Sequence, residues 1–235
     1  MAPLPVWKRT DKWKPASPGG GSHGFSVECP DTSELGHCKP ERYAPEVLAS
    51  ALAREVDVSV PPTELGNCED KTVAVSKSFG EKSLDVRALK TSFPDAYASD
   101  EFKAAARKVS GLLPLHAWVG TGDLKDDHVV VRGGGGEAEY ECAGIDFADA
   151  FGFDATGGDV RVPPGPPVLL ENRDPDVMRR TIQSIQSVSD ERVRHLVCSL
   201  PDADLPPADK ERITQGLIAR KGKIEPTFHD AGWLT

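Results

Sequence analysis

Two short β-type runs, close together in the chain, both carry acids at their ends. TGDLKDDHVVV (121–131) places Asp123, Asp126, Asp127 and His128 at the mouth of a three-valine run, and AGIDFADAFGF (143–153) sets Asp146 inside the next apolar stretch. The joint between them, RGGGGEAEYE (132–141), contains four consecutive glycines. Glycines supply either sign of φ, so this joint reads as a hairpin turn. A loop bearing Asp123, a strand, a tight turn and a returning strand ending on Asp146 would aim both acids at one point. Hard divalent cations are held by carboxylate oxygens. A triphosphate needs such a cation to neutralise its charge, and an acid to orient or deprotonate the attacking hydroxyl.

The phosphates also need a positive side chain. FSVEC (25–29) alternates as a strand does, and HCKP reads as a short strand ending at Lys39. PEVLASALAREV (45–56) is the clearest helix of the first half, with Pro45 in its first turn and an apolar stripe at helical spacing. Glu46 at its start can face Lys39, and an enclosed ammonium is stable only beside a carboxylate. KTVAVSKSFG (71–80) reads as a further strand. Residues 99–120 are expected to be largely helical, with Ser99 as N-cap and Pro114 as an interruption. GGDVRVPPGPPVLLENRDP is a long Pro-rich connection, and from residue 175 onward the pattern is helical. Trp118 is expected in the core, and Arg220 and Lys221 at a helix C-terminus.

Several function classes fit poorly. The formal net charge is −9 and no dense Lys/Arg run occurs, which argues against a nucleic-acid partner or an anionic membrane surface. No run of 18 apolar residues is present, and MAPLPVWKRTDKWKP lacks the apolar centre of a signal peptide; a cytoplasmic location is expected. The five cysteines are odd in number and lack CxxC spacing, so neither a disulfide framework nor a zinc ribbon is expected.

Taken in order, the segments resemble the HipA-like branch of the protein-kinase-like superfamily, itself similar to the phosphoinositide kinases. GGGSHGFSVECPDTSELGHCKP is similar to that branch's opening hairpin and nucleotide lysine, and RYAPEVLASALAREVDVSVPP to its glutamate helix. LHAWVGTGDLKDDHVVV resembles its catalytic loop, AGIDFADAFG its metal segment, and VRHLVCSLPDADLPPADKERITQGLIARKGKIEP its closing helices. The resemblance implies a two-lobed α+β protein-kinase-like fold. It would have a tail at 1–18, a small mostly-β lobe at 19–80 and a larger helical lobe at 81–235. It implies an ATP-dependent phosphotransferase whose partners are a nucleotide and a protein or small-molecule acceptor, with Mg²⁺ as cofactor and Mn²⁺ as the other metal admitted. Lys39 would grip the α/β-phosphates, Glu46 would brace it, Asp123 would be the catalytic base and Asp146 a metal ligand. Val75, Ser76, Lys77 and Ser78 would form the adenine-contacting hinge.

Three positions depart from the family pattern. The asparagine expected five residues after the catalytic aspartate is His128, and Thr121 and Leu124 replace the Asn and Arg of its N-x-D-R signature. Imidazole is a poor Mg²⁺ ligand compared with an amide oxygen. Three outcomes are open: Asp127 or Asp126 joins Asp146 and His128 as a ligand, a different metal is used, or catalysis is lost. In the last case the chain would be a pseudokinase acting as a nucleotide-binding or protein-interaction module.

Overall fold

Trp7 sits against one face of an antiparallel sheet, only 2% exposed. It belongs to a computed structural model that describes residues 4–11, 25–80, 83–133, 139–151 and 159–234. The sheet runs in the spatial order β1 (Lys8–Arg9), β2 (Phe25–Glu28), β3 (Leu35–Lys39), β5 (Lys71–Lys77), β4 (Thr63–Cys68). Gly36 and Gly66 make room for the indole: a Cβ on Gly66 would come within 2.7 Å of the Trp7 ring. Glycine inside a strand often marks such a close approach. Trp7, Val27, Cys29, Cys38, Cys68, Val73 and Val75 form a small core of their own. Residues 4–11 lie within the stretch expected as a tail, and β1 pairs with β2 there through Lys8–Glu28 and Arg9–Val27. The glycine-rich stretch 19–24 lies outside the described residues.

Between β3 and β4 runs α1 (Tyr43–Glu55), with Pro45 in its first turn as the sequence requires. Its buried face, including Leu48, Ala49, Leu52 and Ala53, belongs to the large core that the later helices fill. Both ends of α1 are tied to that later part of the chain, one to the turn before its helix at 207–221 and one to its helix at 190–198. The Tyr43 hydroxyl donates to Asp204 at 2.6 Å, and Arg192 pairs with Glu55.

A three-stranded antiparallel sheet follows, in the order β6 (Leu84–Asp85), β7 (Val129–Arg132), β8 (Glu141–Gly144). The expected hairpin is present in the pairing of β7 with β8, from Val129–Gly144 to Arg132–Glu141. Its turn begins with Gly133 at φ 88°, and residues 134–138 lie outside the described set. Helices α2 (Val86–Ser92) and α3 (Pro94–Ala98) precede α4 (Asp100–Lys108). Ser99 caps α4, accepting from the Phe102 N–H at 3.1 Å. The break before α5 (Leu112–Val119) falls at 109–111, ahead of Pro114, which occupies the first turn of α5 where its missing N–H costs nothing. The Pro-rich connection contains a short helix, α6 (Pro167–Glu171), started by a proline at its first position. Four helices close the fold: α7 (Pro175–Ser187), α8 (Asp190–Cys198), α9 (Pro207–Lys221) and α10 (Ile224–Asp230). Trp118 is fully buried and donates to the Leu217 carbonyl at 2.9 Å. All five cysteines are free, four buried and Cys198 exposed. Among the described residues no helix is long and apolar enough to cross a membrane.

Candidate active site

Side chains alternate across β3. Cys38 faces the Trp7 core, so Lys39 points to the other face, toward α1. Only three residues separate Lys39 from the start of α1, and the helix's first turn delivers Glu46 to the amine. Lys39 Nζ donates to Glu46 Oε1 at 2.5 Å and to Asp146 Oδ1 at 2.8 Å. Lys39 is 8% exposed and Glu46 2%. An ammonium and two carboxylates from three separate segments therefore meet at one enclosed point.

Asp146 follows β8 with φ 66°, a left-handed conformation that short polar side chains tolerate best. The Ile145 N–H donates to the His128 carbonyl at 2.8 Å, pinning this turn to the residue before β7. The Phe147 backbone N–H reaches Glu46, and that of Ala148 reaches Asp146. Burial works against charge on all three groups, with different results. On Lys39 the two carboxylates outweigh desolvation, and the pKa lies above the ordinary lysine value. Burial pushes the Asp146 carboxyl up, but Lys39 and then His128 pull harder and hold it at about 2. For Glu46 desolvation dominates and raises the pKa against the pull of Lys39.

His128 ends a 3₁₀ turn (Asp126–His128) and is 8% exposed. Its Nε2 lies 3.8 Å from Asp146 Oδ2, and its Nδ1 is buried with no hydrogen-bond partner. Asp127 faces Arg87 at 3.1 Å and keeps one enclosed oxygen, Oδ1, without a partner. Asp126 accepts from the Val168 N–H at 3.3 Å. Asp123 stands in the loop after α5, half-exposed, its Oδ2 held by Lys125 at 2.6 Å. That bond, with the fields of Asp123, Asp127 and Asp146, raises the Lys125 pKa. The structure thus brings Lys39, Glu46 and Asp146 into contact, sets His128 at their edge, and leaves Asp123 and Asp127 bonded to neighbouring cations.

Val75, Ser76 and Lys77 lie at the end of β5, which runs between β3 and β4, and Val75 points into the Trp7 core. The Lys77 and Ser78 amides donate to Pro62 and Leu35, and Ser76 Oγ pairs with Thr63 Oγ1. Backbone groups for a base edge would have to come from beyond these bonds.

His116 and Lys125 carried no expectation from the sequence, and Thr121 entered only as a departure from the family signature. His116 is the one polar residue of α5 and fully buried; its Nδ1 shares a 2.5 Å hydrogen bond with Thr121 Oγ1. Its ring stacks on Phe147 with centroids 4.8 Å apart, so α5, the Asp123 loop and the Asp146 turn share one contact. Burial, reinforced by His128, lowers its pKa to about 3. A lone histidine in LLPLHAWV was the available signal. Behind this loop, Gly120 closes α5 at φ 72°, and buried Arg220 donates to the Trp118 carbonyl at 3.2 Å.

The residues present fit a divalent ion with few protein ligands. Asp146 supplies a half-exposed carboxylate, and His128 Nδ1 and Asp127 Oδ1 are enclosed polar atoms without partners. Mg²⁺ commonly takes one or two carboxylates and completes its shell with phosphate and water. No group of three or more His, Cys, Asp or Glu forms a ready cage among the described residues. An open cavity of about 440 Å³, lined in part by Asp159, Arg161, Lys223 and Asp230, contains none of these residues.

No protein-family model matches the chain, and no curated protein does. Solved structures do. The proinflammatory kinase CtkA of Helicobacter pylori superposes with a TM-score of 0.64 at 16% identity, over 94% of this chain and 96% of that one. HipA of Shewanella oneidensis MR-1, in a toxin–antitoxin complex with HipB and operator DNA, gives a TM-score of 0.52 at 10% identity, over 91% and 67%. The chain therefore has the two-lobed, protein-kinase-like α+β fold of these structures.

Proposed function

We propose that the chain is an ATP-dependent phosphotransferase that moves the γ-phosphate to a hydroxyl of a protein or small molecule. One observation carries this reading: Lys39 bridges Glu46 and Asp146, which is 107 residues away. The small lobe is taken as 19–80 and the large lobe as 81–235, with the nucleotide between them. Glu46 fixes the Lys39 amine from behind, so the amine presents its charge to the α/β-phosphates without having to be desolvated at the moment of binding. Asp146 would hold the cation, while Glu46 keeps the amine compensated. A bound divalent ion supplies neutralisation of the phosphate charge. Asp123, exposed enough to meet an acceptor, orients the hydroxyl and takes its proton, and Lys125 holds its side chain in place. Val75–Ser78 mark the approach to the adenine.

Purified protein with labelled ATP, a divalent ion and candidate acceptors is expected to transfer label, and Asp123→Asn to lower the rate by about 10²–10⁴. Absence of label with any acceptor or dication counts against transfer. His128 at the position of the family asparagine favours a second reading, a module that binds nucleotide without transferring phosphate. A thermal shift with nucleotide, about 2.7 kcal/mol of stabilisation at 100 times Kd, together with no label, would select it.

A further inference from the structure

The three residues of the turn before β7 have different partners, and the difference separates their tasks. Asp126 is used by the Val168 N–H at the start of α6. Asp127 faces Arg87, whose charge opposes a second cation beside it. His128 has no comparable work. Its side chain is 11% exposed, its Nδ1 is enclosed without a partner, and its Nε2 faces Asp146 Oδ2 across 3.8 Å. That gap is too long for a hydrogen bond. Asp146 Oδ1 is taken by Lys39, and Oδ2 is the oxygen that faces the ring nitrogen. Two donors about 2.1 Å from one octahedral ion lie roughly 3 Å apart. A side-chain adjustment of roughly 0.8 Å would bring nitrogen and oxygen to that spacing.

We propose that His128 Nε2 and Asp146 Oδ2 bind the same ion, and that this nitrogen–oxygen pair makes the site select first-row transition-metal dications over Mg²⁺. The proposal rests on the phosphotransferase reading for its location, and it resolves the departure at His128 as a change of metal. Mg²⁺ favours oxygen donors, whereas imidazole suits the transition series. Mn²⁺ is the weakest binder of that series, so it is the most demanding probe.

Mn²⁺ is titrated into the full chain, alone and with the β,γ-methylene analogue of ATP, and followed by pulsed EPR and calorimetry. The expected spectrum shows modulation from a directly bound imidazole nitrogen. His128→Asn should abolish that modulation while Mn²⁺ still binds, and should lower the Mn²⁺ to Mg²⁺ affinity ratio by about tenfold or more. His128→Gln serves as a second variant, with circular dichroism to confirm folding of both. Bound Mn²⁺ without nitrogen modulation, an unchanged affinity ratio in a folded variant, or no dication binding under either condition overturns the proposal. Nitrogen-bound Mn²⁺ and bound nucleotide with no labelled acceptor would instead defeat transfer and leave the metal assignment standing.

Discussion

The Lys39 cluster and the Asp123 loop contain the same kinds of charge and are built in opposite ways. Lys39, Glu46 and Asp146 come from β3, α1 and the turn after β8, and the Lys39–Glu46 pair is almost sealed from solvent. Asp123 and Lys125 are two residues apart, and each is substantially solvent-exposed. A desolvated pair must be complete, because removing one partner strands the other. A solvated pair adds little stability and exchanges partners freely. The sealed set therefore holds the molecule's geometry, and the open set is free to change partners, as the proposed transfer to an acceptor requires.

The sharpest way to break this contrast is Lys39→Met. It should lower the unfolding free energy by about 3–5 kcal/mol in urea titration, because Glu46 loses its counter-charge in a buried site. Lys39→Met combined with Glu46→Leu should recover much of that stability without restoring nucleotide binding. A loss under about 1 kcal/mol for the single variant would mean the cluster is not sealed.

Acid probes the same half of the molecule. Burial holds the folded His116 pKa at about 3, below its ordinary value of 6.5. The unfolded chain takes up this proton first, so the stability present above pH 6.5 is lost as pH falls toward 3, by up to about 1.4 kcal/mol per pH unit. Urea midpoints across pH 4–7 should show this slope, and His116→Gln should flatten it. Asp146, at about 2 in the folded state, adds a second loss only below about pH 4.

Smaller effects refine the boundary between the two halves. Gly120→Ala forces a side chain onto a left-handed residue, with its Cβ 2.8 Å from Arg220 Nη1. A loss of about 1–2 kcal/mol is expected in thermal or urea unfolding. Asp123→Asn should change stability by no more than about 0.5 kcal/mol while abolishing most transfer. A larger loss would show that the loop is structural after all.

Local patterns were legible where local chemistry decides them. Ser99 as a cap, Pro45 in a first turn and the β7–β8 hairpin all follow from neighbouring residues. The pairing of Lys39 with Glu46 could be read, but the direct contact of Lys39 with Asp146 could not, because nothing local encodes a pairing across 107 residues. Prolines at 163–167 read as breakers and hid α6, since a proline at a helix's first position looks the same as one in a loop. Trp7 was obscured by the Pro- and Gly-rich company it keeps. Its receiving site is written elsewhere, in two glycines inside strands β3 and β4. The partners of Asp126 and Asp127 were likewise invisible, since Val168 and Arg87 reach them only through tertiary folding.

The helix carrying Glu46 is moored at both ends, Tyr43 to Asp204 and Glu55 to Arg192, and its apolar face is shared with the closing helices. Swinging it outward to disarm Lys39 would mean tearing open the main core. A lever of that kind is therefore unavailable to this chain, and a throttle on the proposed transfer would have to act on what reaches Lys39.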